Sequence, residues 1–468
     1  MPKGQFAVAG LGVMGRMVAL NIERNGFPVV AYNRGAENAD LMRAASEGKN
    51  VQVTQSIQEM VDSLETPRRV LLMVTAGRGT DAVIEELRKL LDPGDVIIDG
   101  GNSHFPDTNR RQEELSGTGI HYIGCGISGG EQGALWGPSI MPGGDKEAYA
   151  KIEPVLQKIA AKTDDGSCVT YVGEGSAGHY VKMVHNGIEY GIMQIICEIY
   201  DVFRKSAGMS TAEIQEVFAK WTDSDISGFL VEIAADCLAK QDDLTDKPLV
   251  EVILDTAGQK GTGKWTAQSA LDLGVPIPTL SMAVTARILS GLKPKRVAAS
   301  KTLTGPDAKY SGGRDELIAS MYNAFYLATV ACYAQGMALI RAASDEFDYK
   351  VDLAEVSRIW KGGCIIRSKL LDPIKKAFQE NPDLDNLLLD ASFSGMANAN
   401  QADLRKVVQL AAETGVAATC LGVTLAYIDS YRSEFLPANL LQALRDNFGA
   451  HTYKRLDREG VFHAQWVE

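Results

Sequence analysis

Two patterns of hydrophobic residues divide the chain into parts of different structure. In the first third, short apolar and β-branched runs alternate with stretches of helical periodicity. After about residue 176, long apolar or amphipathic stretches replace this alternation. The first pattern is typical of a parallel, doubly wound α/β sheet, and the second is typical of a large helical core. We therefore predict an α/β domain at 1–176, an all-α domain at 177–435 and a C-terminal tail at 436–468.

The apolar runs also give approximate positions for the individual elements. Strands are predicted at 6–9, 29–32, 70–74, 96–99 and 121–123, and helices at 16–25, 40–47, 56–63, 80–91 and 108–115. Long core helices are predicted at 177–205 and 320–343. The segment from Leu436 has a weak hydrophobic pattern, so we interpret it as a tail that needs another surface to pack against.

Composition restricts the class of protein further. The 468 residues carry 47 Lys and Arg against 59 Asp and Glu, a net charge of −12, and 45% of them are hydrophobic. An acidic balance argues against a nucleic-acid or anionic-membrane surface, and no apolar run reaches the length of a membrane span. Seven scattered cysteines without CxxC spacing indicate reduced thiols, and no cluster has metal-ligand spacing. We expect a cytoplasmic protein with no nucleic-acid partner, no membrane and no metal.

A glycine motif follows the first predicted strand and opens the first predicted helix. It contains Gly10, Gly12 and Gly15 in the G-x-G-x-x-G spacing. These glycines permit a tight turn, close approach of a pyrophosphate to the backbone, and close packing of helix on strand. The sequence therefore predicts a dinucleotide site. The alternative is a glycine-rich turn without a ligand.

The end of the second predicted strand distinguishes between dinucleotides. An NAD site usually places Asp or Glu there to accept from the ribose hydroxyls. Here the strand ends with Tyr32, Asn33 and Arg34, and a guanidinium suits a 2′-phosphate. NADP is therefore favoured. The alternative is that Arg34 is a solvated surface residue.

One helix carries a polar stripe on an otherwise apolar surface. Lys182, His185, Asn186, Glu189 and Tyr190 recur at helical spacing and share one face. Buried polar groups need partners, and the stripe comes directly after the predicted nucleotide-binding domain, where a cleft is expected. A solvated helix face with a Lys–Glu pair is the alternative.

Other segments offer groups that could hold a sugar acid or an anion. Glycine-rich turns at 100–103 and 125–130 follow two predicted strands, at the edge of the sheet where ligands bind. The segment 258–265 nearly matches a P-loop, but Trp265 stands where the Mg²⁺-binding hydroxyl residue would be. Arg445 and His451 surround a glycine in the tail and could clamp a phosphate; an interface or surface role is the alternative.

Taken in order, these motifs resemble the 6-phosphogluconate dehydrogenase family of decarboxylating enzymes, within the β-hydroxyacid dehydrogenase superfamily. The resemblance covers essentially the whole chain and rests on segments 10–15, 140–144, 182–190, 258–266 and 445–453. It implies a Rossmann-like domain, a large helical domain and a homodimer in which the tail reaches the partner's active site. It also implies oxidative decarboxylation of 6-phosphogluconate to ribulose 5-phosphate in the pentose phosphate pathway.

The resemblance assigns roles to individual residues of this sequence. Lys182 would be the general base and Glu189 the general acid. The implied substrate-binding residues are Asn102, Ser128, Gly129, Gly130, His185, Asn186, Tyr190, Lys260, Thr262, Arg287, Arg445 and His451. The implied cofactor-binding residues are Gly10, Gly12, Val13, Met14, Gly15, Asn33, Arg34, Gly35, Val74, Thr75, Ala76 and Asn102.

Two departures from the family's usual pattern affect only the cofactor side. Gly35 follows Arg34 where the family usually has Thr or Ser, and Glu37 and Asn38 occupy the region of a family lysine. Thr75 replaces another lysine near the cofactor. NADP remains the predicted cofactor, and NAD is kept as a weaker or dual one.

The chemistry also sets a requirement for Lys182. To act as a base near pH 7, its pKa must fall by roughly three units from about 10.4, and burial among apolar residues lowers the pKa of an ammonium.

Two functions other than oxidative decarboxylation of 6-phosphogluconate are alternatives for this sequence. A β-hydroxyacid dehydrogenase for a small acid such as 3-hydroxyisobutyrate would not need the phosphate cluster or the tail. A non-catalytic dinucleotide sensor would not need Lys182 and Glu189.

Overall fold

A seven-stranded sheet organises the N-terminal part of the computed structural model, which describes residues 3–466. Its strands are β1 Phe6–Ala9, β2 Val29–Tyr32, β3 Val51–Thr54, β4 Arg69–Leu72, β5 Val96–Asp99, β6 His121–Ser128 and β7 Ser139–Gly144. The order across the sheet is β3-β2-β1-β4-β5-β6-β7. The first six strands are parallel, and β7 pairs antiparallel with β6. The direction of the strand order reverses between β1 and β4, where doubly wound sheets bind their ligands.

The sheet confirms the predicted α/β fold class but has two strands that the hydrophobic pattern did not predict. β3 is a short edge strand of alternating polar and apolar residues, and it pairs only with β2. β7 contains Pro142 and two glycines, which are poor strand formers and argued against a strand there. Its antiparallel direction also differs from the wholly parallel sheet that was predicted.

Helices cover both faces of the sheet. They are α1 Val13–Arg24, α2 Ala36–Ala45, α3 Ile57–Asp62, α4 Arg78–Leu87, α5 Phe105–Leu115, α6 Gly130–Trp136 and α7 Lys146–Ile159. In β1, Phe6 and Val8 belong to one buried cluster while Ala7 and Ala9 belong to the other. Because successive residues of a strand point to opposite faces, a strand buried on both faces has the continuous apolar run seen in the sequence.

From α8 onwards, the regular elements of the described residues are helices, which follow a small hairpin, β8 Lys162–Thr163 with β9 Gly166–Ser167. The helices are α8 Ala177–Asp201, α9 Thr211–Trp221, α10 Phe229–Ala239, α11 Leu249–Val252, α12 Thr262–Asp272, α13 Pro278–Ser290, α14 Lys293–Ala299, α15 Arg314–Glu346, α16 Leu353–Trp360, α17 Leu371–Glu380, α18 Ala391–Glu413, α19 Thr419–Tyr431 and α20 Ala438–Gly449. Short π-helical and 3₁₀ segments lie at Val202–Ser206 and Leu387–Leu389. The predicted all-α character is confirmed.

Helices α8 and α15 form the centre of this helical region. Helix α8 contacts β6 and β7 on one side and α12, α13 and α15 on the other. Helix α15 is apolar and long enough to cross a membrane by length and composition, but 72% of its most apolar window is buried inside the protein. Its apolar residues therefore form the core against which α8 and α18 pack.

Candidate active site

Helix α8 lies directly on the edge of the sheet because glycines remove the side chains between them. A Cβ atom at Gly178 would overlap the carbonyl oxygens of Gly124 and Met141, and one at Gly126 would overlap the Lys182 side chain. Backbone meets backbone at this contact, as only glycine allows. Lys182 is consequently held over β6 and is only 5% exposed.

Four of the predicted site residues form one buried hydrogen-bonded group. The Lys182 amine lies 3.3 Å from His185 Nδ1, and this ring nitrogen lies 3.1 Å from Asn186 Oδ1. On the other side of the ring, His185 Nε2 lies 3.2 Å from the hydroxyl of Ser128, the last residue of β6. All four side chains are buried. The polar stripe is therefore a partnered interior cluster, and the solvated alternative is wrong.

The surroundings shift the protonation of this group in the directions that acid–base chemistry needs. Burial lowers the pKa of Lys182 to about 8, while the Glu189 carboxylate opposes that shift. Burial, followed by the charge of Lys182, holds the pKa of His185 well below its ordinary value, so the imidazole is neutral. Burial raises the pKa of Glu189, with Lys182 and Arg287 acting in the opposite direction. The site thus contains an amine that loses its proton more readily than an ordinary lysine, beside a carboxylic acid that keeps its proton more readily than usual.

The predicted phosphate-binding residues gather at the next turn of α8. The Arg287 guanidinium stacks on the Tyr190 ring at 3.6 Å from its centroid. Gly263 also faces Tyr190, because a Cβ atom there would lie 2.6 Å from the ring. Thr262 is the first residue of α12 and is buried, whereas Lys260 is exposed in the loop before it. Tyr190, Thr262 and Arg287 therefore surround one region, and Lys260 stands at its edge.

The predicted sugar-acid segments lie beyond the carboxyl ends of β5 and β6, which are neighbours in the sheet. Asn102 is exposed in the loop after β5. Gly129 has φ 134°, and a Cβ atom there would lie 2.7 Å from the carbonyl oxygen of Gly363. Gly130 is the first residue of α6. The two segments therefore border the same crevice as the Lys182 group.

The glycine motif has the geometry of a dinucleotide loop. Gly10 turns the chain with φ 100°, and a Cβ atom there would lie 2.6 Å from the Met73 carbonyl oxygen. A Cβ atom at Gly15 would overlap the Gly10 carbonyl oxygen, so α1 packs tightly on β1. Around Gly12 there is open space, and the first turn of α1, which contains Val13 and Met14, has no acidic residue. Free backbone N–H groups thus face a space that fits a pyrophosphate.

The other predicted cofactor residues border this loop. Asn33 accepts a hydrogen bond from the Leu11 amide at 3.0 Å, which fixes the end of β2 against the glycine motif. Arg34 is exposed and forms an ion pair with Glu86 at 2.8 Å. Gly35 precedes α2, and Val74, Thr75 and Ala76 follow β4, the neighbour of β1. The switch point between β1 and β4 therefore collects the residues that could hold a dinucleotide.

The tail residues are not brought to this crevice by their own chain. Arg445 and His451 are exposed at the end of α20, and Arg445 donates to Gln442 at 3.0 Å. Among residues 436–466, every hydrogen bond and ion pair found has its partner within the same segment. The tail is more ordered than its sequence pattern indicated, because α20 is a regular helix of 12 residues.

Comparison with known proteins agrees with this geometry over the whole length. The family model for the NAD binding domain of 6-phosphogluconate dehydrogenase matches residues 5–173, and the model for the C-terminal domain of that enzyme matches residues 178–466. The chain belongs to the 6-phosphogluconate dehydrogenase family.

Individual relatives place it within that family. The NADP(+)-dependent, decarboxylating 6-phosphogluconate dehydrogenase of Bacillus subtilis is 51% identical over 469 residues, covering 100% of both chains. The decarboxylating enzyme of Escherichia coli K12 is 50% identical with the same coverage. The solved structure of Plasmodium falciparum 6-phosphogluconate dehydrogenase superposes with a TM-score of 0.95 at 40% identity, covering 99% of this chain and 100% of that one.

Beyond the family motifs, the structure adds residues to the site that the sequence pattern did not single out. Trp360 contacts His185 edge-on, with the ring centroids 5.5 Å apart. The backbone amide of Ile365 donates to the Ser128 hydroxyl at 3.4 Å. Burial raises the pKa of the Cys364 thiol to about 12, so an uncharged thiol lies near Lys182. Cys364 and Ile365 lie in a turn whose only local signal in the sequence is the Gly-Gly pair at 362–363. This pair does not indicate that the turn contacts Ser128.

A second unpredicted feature is the buried Arg111, which joins the two loops beside the cofactor crevice. Its guanidinium donates to Asp99 at 3.1 Å, to the Ser103 hydroxyl at 3.1 Å and to the Gly77 carbonyl at 3.2 Å. Asp99 ends β5, and Gly77 precedes α4. Arg111 therefore ties the loop that carries Asn102 to the loop that follows Val74.

Within the described residues, one carboxylate cluster has the spacing of a metal site. It consists of Asp164, Asp165 and Asp372. Lys361 forms ion pairs with all three carboxylates, and Lys375 pairs with Asp165. The two lysines offset two of the three negative charges that would attract a cation.

Proposed function

We propose that this protein catalyses the NADP-dependent oxidative decarboxylation of 6-phosphogluconate to ribulose 5-phosphate and CO₂. The observation that carries the proposal is the buried Lys182, with its pKa lowered to about 8, in a hydrogen-bonded group with His185, Asn186 and Ser128. Relatives that match the chain over its whole length are decarboxylating 6-phosphogluconate dehydrogenases. The reaction belongs to the pentose phosphate pathway.

Lys182 acts first as a base. In its neutral form it removes the proton of the C3 hydroxyl while hydride leaves C3, which gives a 3-keto acid. When bound, NADP supplies the nicotinamide that accepts this hydride. The C1–C2 bond then breaks with loss of CO₂, and the protonated Lys182 stabilises the negative charge that develops on the C3 oxygen. Glu189, in the protonated form that its raised pKa favours, then gives a proton to C1 of the resulting enediol, which is the former C2, and yields the ketose.

The remaining site residues hold the substrate. We assign the sugar-acid chain to Asn102, Ser128, Gly129, Gly130, His185 and Asn186, and the phosphate to Tyr190, Lys260, Thr262, Arg287, Arg445 and His451. Arg287 and Lys260 are cations at the phosphate end of the crevice, which explains how an acidic protein attracts an anionic substrate.

The cofactor lies along the switch point of the sheet in this proposal. Gly10, Gly12, Val13 and Gly15 would surround the pyrophosphate, with Met14 near the nicotinamide, and the open space around Gly12 supports this placement. Arg34, with Asn33 and Gly35, faces the adenosine 2′-phosphate. Val74, Thr75, Ala76 and Asn102 complete the crevice.

We also propose that the protein is a cytoplasmic homodimer that exchanges its tails. The tail exposes Leu440, Leu441, Leu444 and Phe448, each more than half exposed, so α20 has an apolar face that the described residues leave largely uncovered. Burying such a face drives association. The division into residues 1–176, 177–435 and 436–468 is retained, with the last segment completing the partner's phosphate site.

The proposal is tested by initial rates at 340 nm, with release of CO₂ measured in parallel. We expect reduction of NADP with 6-phosphogluconate, and much less with gluconate, which lacks the phosphate. Turnover of 3-hydroxyisobutyrate instead would support a small-acid β-hydroxyacid dehydrogenase. Cofactor binding without any reduction would support the non-catalytic sensor.

The pH profile tests the coupling between Lys182 and Glu189. Since Lys182 must be neutral, kcat/KM should fall as the pH drops below about 8. In Glu189→Gln the negative charge that raises the Lys182 pKa is removed, so this acid limb should move to lower pH. The rate itself should fall about 10²-fold, since the general acid is lost. Asp201→Asn, at the far end of the same helix, is the control and should leave the limb in place. An acid limb that stays fixed or moves upward in Glu189→Gln contradicts the pairing.

Tail exchange predicts complementation between two inactive variants. A dimer of one Lys182→Met chain and one Arg445→Met chain contains one site with an intact lysine and an intact partner tail. We expect such hybrids to recover about half the activity of the unmodified dimer, because the two sites of a symmetric dimer are equivalent. Differently tagged chains, purified as hybrids, provide the measurement. Hybrids as inactive as both parents would show that the tail serves its own chain.

A further inference from the structure

An open pocket lies where the adenosine end of the dinucleotide would leave the sheet. It is bordered by Tyr32 at the end of β2, by Gln55 in the loop after β3, by Glu86 in the last turn of α4 and by Lys89 just after that helix. Arg34 is also part of its wall. The wall of this pocket therefore contains both a carboxylate, from Glu86, and a guanidinium, from Arg34, next to the expected position of a 2′-phosphate.

The guanidinium of Arg34 is already engaged in this pocket. Its Nη2 donates to the Glu86 carboxylate at 2.8 Å, although 77% of the arginine side chain and 43% of the glutamate side chain are exposed. The Gln55 side chain donates to the Arg34 backbone carbonyl at 3.4 Å and holds that end of the strand. The other nearby cation, Lys89, lies 3.4 Å from Glu85. Both cationic side chains of this pocket, Arg34 and Lys89, are thus paired with a carboxylate of α4.

The position of the family's second cation is occupied by a different contact. Asn38 accepts a hydrogen bond from Arg16 at 3.0 Å, and Arg16 also donates to the Leu11 carbonyl at 2.9 Å. Arg16 is therefore committed to the glycine motif, and Asn38 brings no positive charge. Arg34 remains the cation best placed for the phosphate.

We infer that Glu86 is a specificity-determining residue that reduces the preference for NADP over NAD. This inference rests on the proposed function. To bind the 2′-phosphate, Arg34 must either share its guanidinium between Glu86 and a phosphate oxygen or give up the Glu86 contact, and in both cases the carboxylate beside the phosphate repels it. NAD has a hydroxyl at this position, so its binding leaves the ion pair in place. Glu86 therefore weakens the binding of one cofactor and leaves the other almost unchanged.

Titration calorimetry on the full-length protein tests this without turnover. In Glu86→Gln we expect the Kd for NADP to fall about fivefold, consistent with the modest strength of exposed ion pairs, and the Kd for NAD to change less than twofold. Adenosine 2′,5′-bisphosphate, which carries the 2′-phosphate without the nicotinamide, should show the same fivefold gain. Arg34→Ala should lose NADP affinity about tenfold while NAD affinity stays within twofold.

Glu85→Gln is the matched control, because it removes the same charge from the adjacent residue, which pairs with Lys89 and not with Arg34. Its Kd for NADP should stay within twofold of the unmodified protein. An unchanged NADP affinity in Glu86→Gln, an equal gain for NAD, or an equal effect of Glu85→Gln each overturns the inference. If the unmodified protein binds neither dinucleotide, the proposed function itself fails, and this result is read before any variant is compared.

Discussion

Lys182→Met is expected to reduce kcat at least about 10³-fold while NADP still binds with nearly unchanged affinity. Methionine has a similar length and no charge, so it occupies the buried position over β6 without the cost of burying an amine. Both the removal of the proton from the C3 hydroxyl and the stabilisation of the developing oxyanion depend on the amine, so oxidation and decarboxylation should fail together. Stopped-flow absorbance at 340 nm with saturating substrate, together with calorimetric titration of NADP, separates lost chemistry from lost binding.

Lys162→Met is the matched control for this experiment. Lys162 also has a lowered pKa, caused by partial burial, but it lies in the β8–β9 hairpin and contacts Gln157 and Ser167. We expect this variant to keep its turnover, because a lysine with a lowered pKa can act as a general base only if it contacts the substrate. Substantial turnover in Lys182→Met, in a protein that is folded and binds NADP, would contradict the assignment of the base.

Gly178→Ala is expected to destabilise the protein by about 3 kcal/mol and to lower kcat as well, because a single methyl group forces α8 away from the sheet. The carbonyl oxygens and amide that surround Gly178 belong to the backbone of β6 and β7, so no side chain can rotate out of the way. Any shift of α8 moves Lys182 and His185 relative to Ser128. Urea unfolding at fixed protein concentration, followed by circular dichroism, measures the first effect, and initial rates measure the second.

Gly395→Ala provides the comparison for this substitution. Gly395 lies in α18, it is exposed, and a Cβ atom there would meet no other atom within 4 Å. Alanine has the higher helix propensity, so this variant should be equally stable or more stable by about 0.5–1 kcal/mol. Equal stability changes in the two variants would mean that the contact between α8 and the sheet has room for a methyl group, and that glycine at 178 does not position Lys182.

The parts of the site that the sequence predicted are those whose residues lie close together along the chain. The motif Gly10, Gly12 and Gly15 has a fixed spacing after a buried strand, and the stripe from Lys182 to Tyr190 follows the period of a helix, so both were predicted with the correct neighbours. Strand β7 was missed because Pro142 and its glycines lack strand propensity, and pairing with β6 outweighs that local preference. The tail helix α20 was missed because the segment from Leu436 has a weak hydrophobic pattern.

The sequence by itself determined the change from strand–helix alternation to a helical region, the glycine motif and the identity of the polar stripe on α8, since each depends on residues close together along the chain. Only the tertiary structure decided which distant residues complete the site. Trp360, Cys364 and Ile365 come to the Lys182 group from more than 170 residues away, and Arg111 reaches Asp99 and Gly77 across the sheet. The lowered pKa of Lys182 has the same origin, because burial depends on what the whole chain packs around one amine.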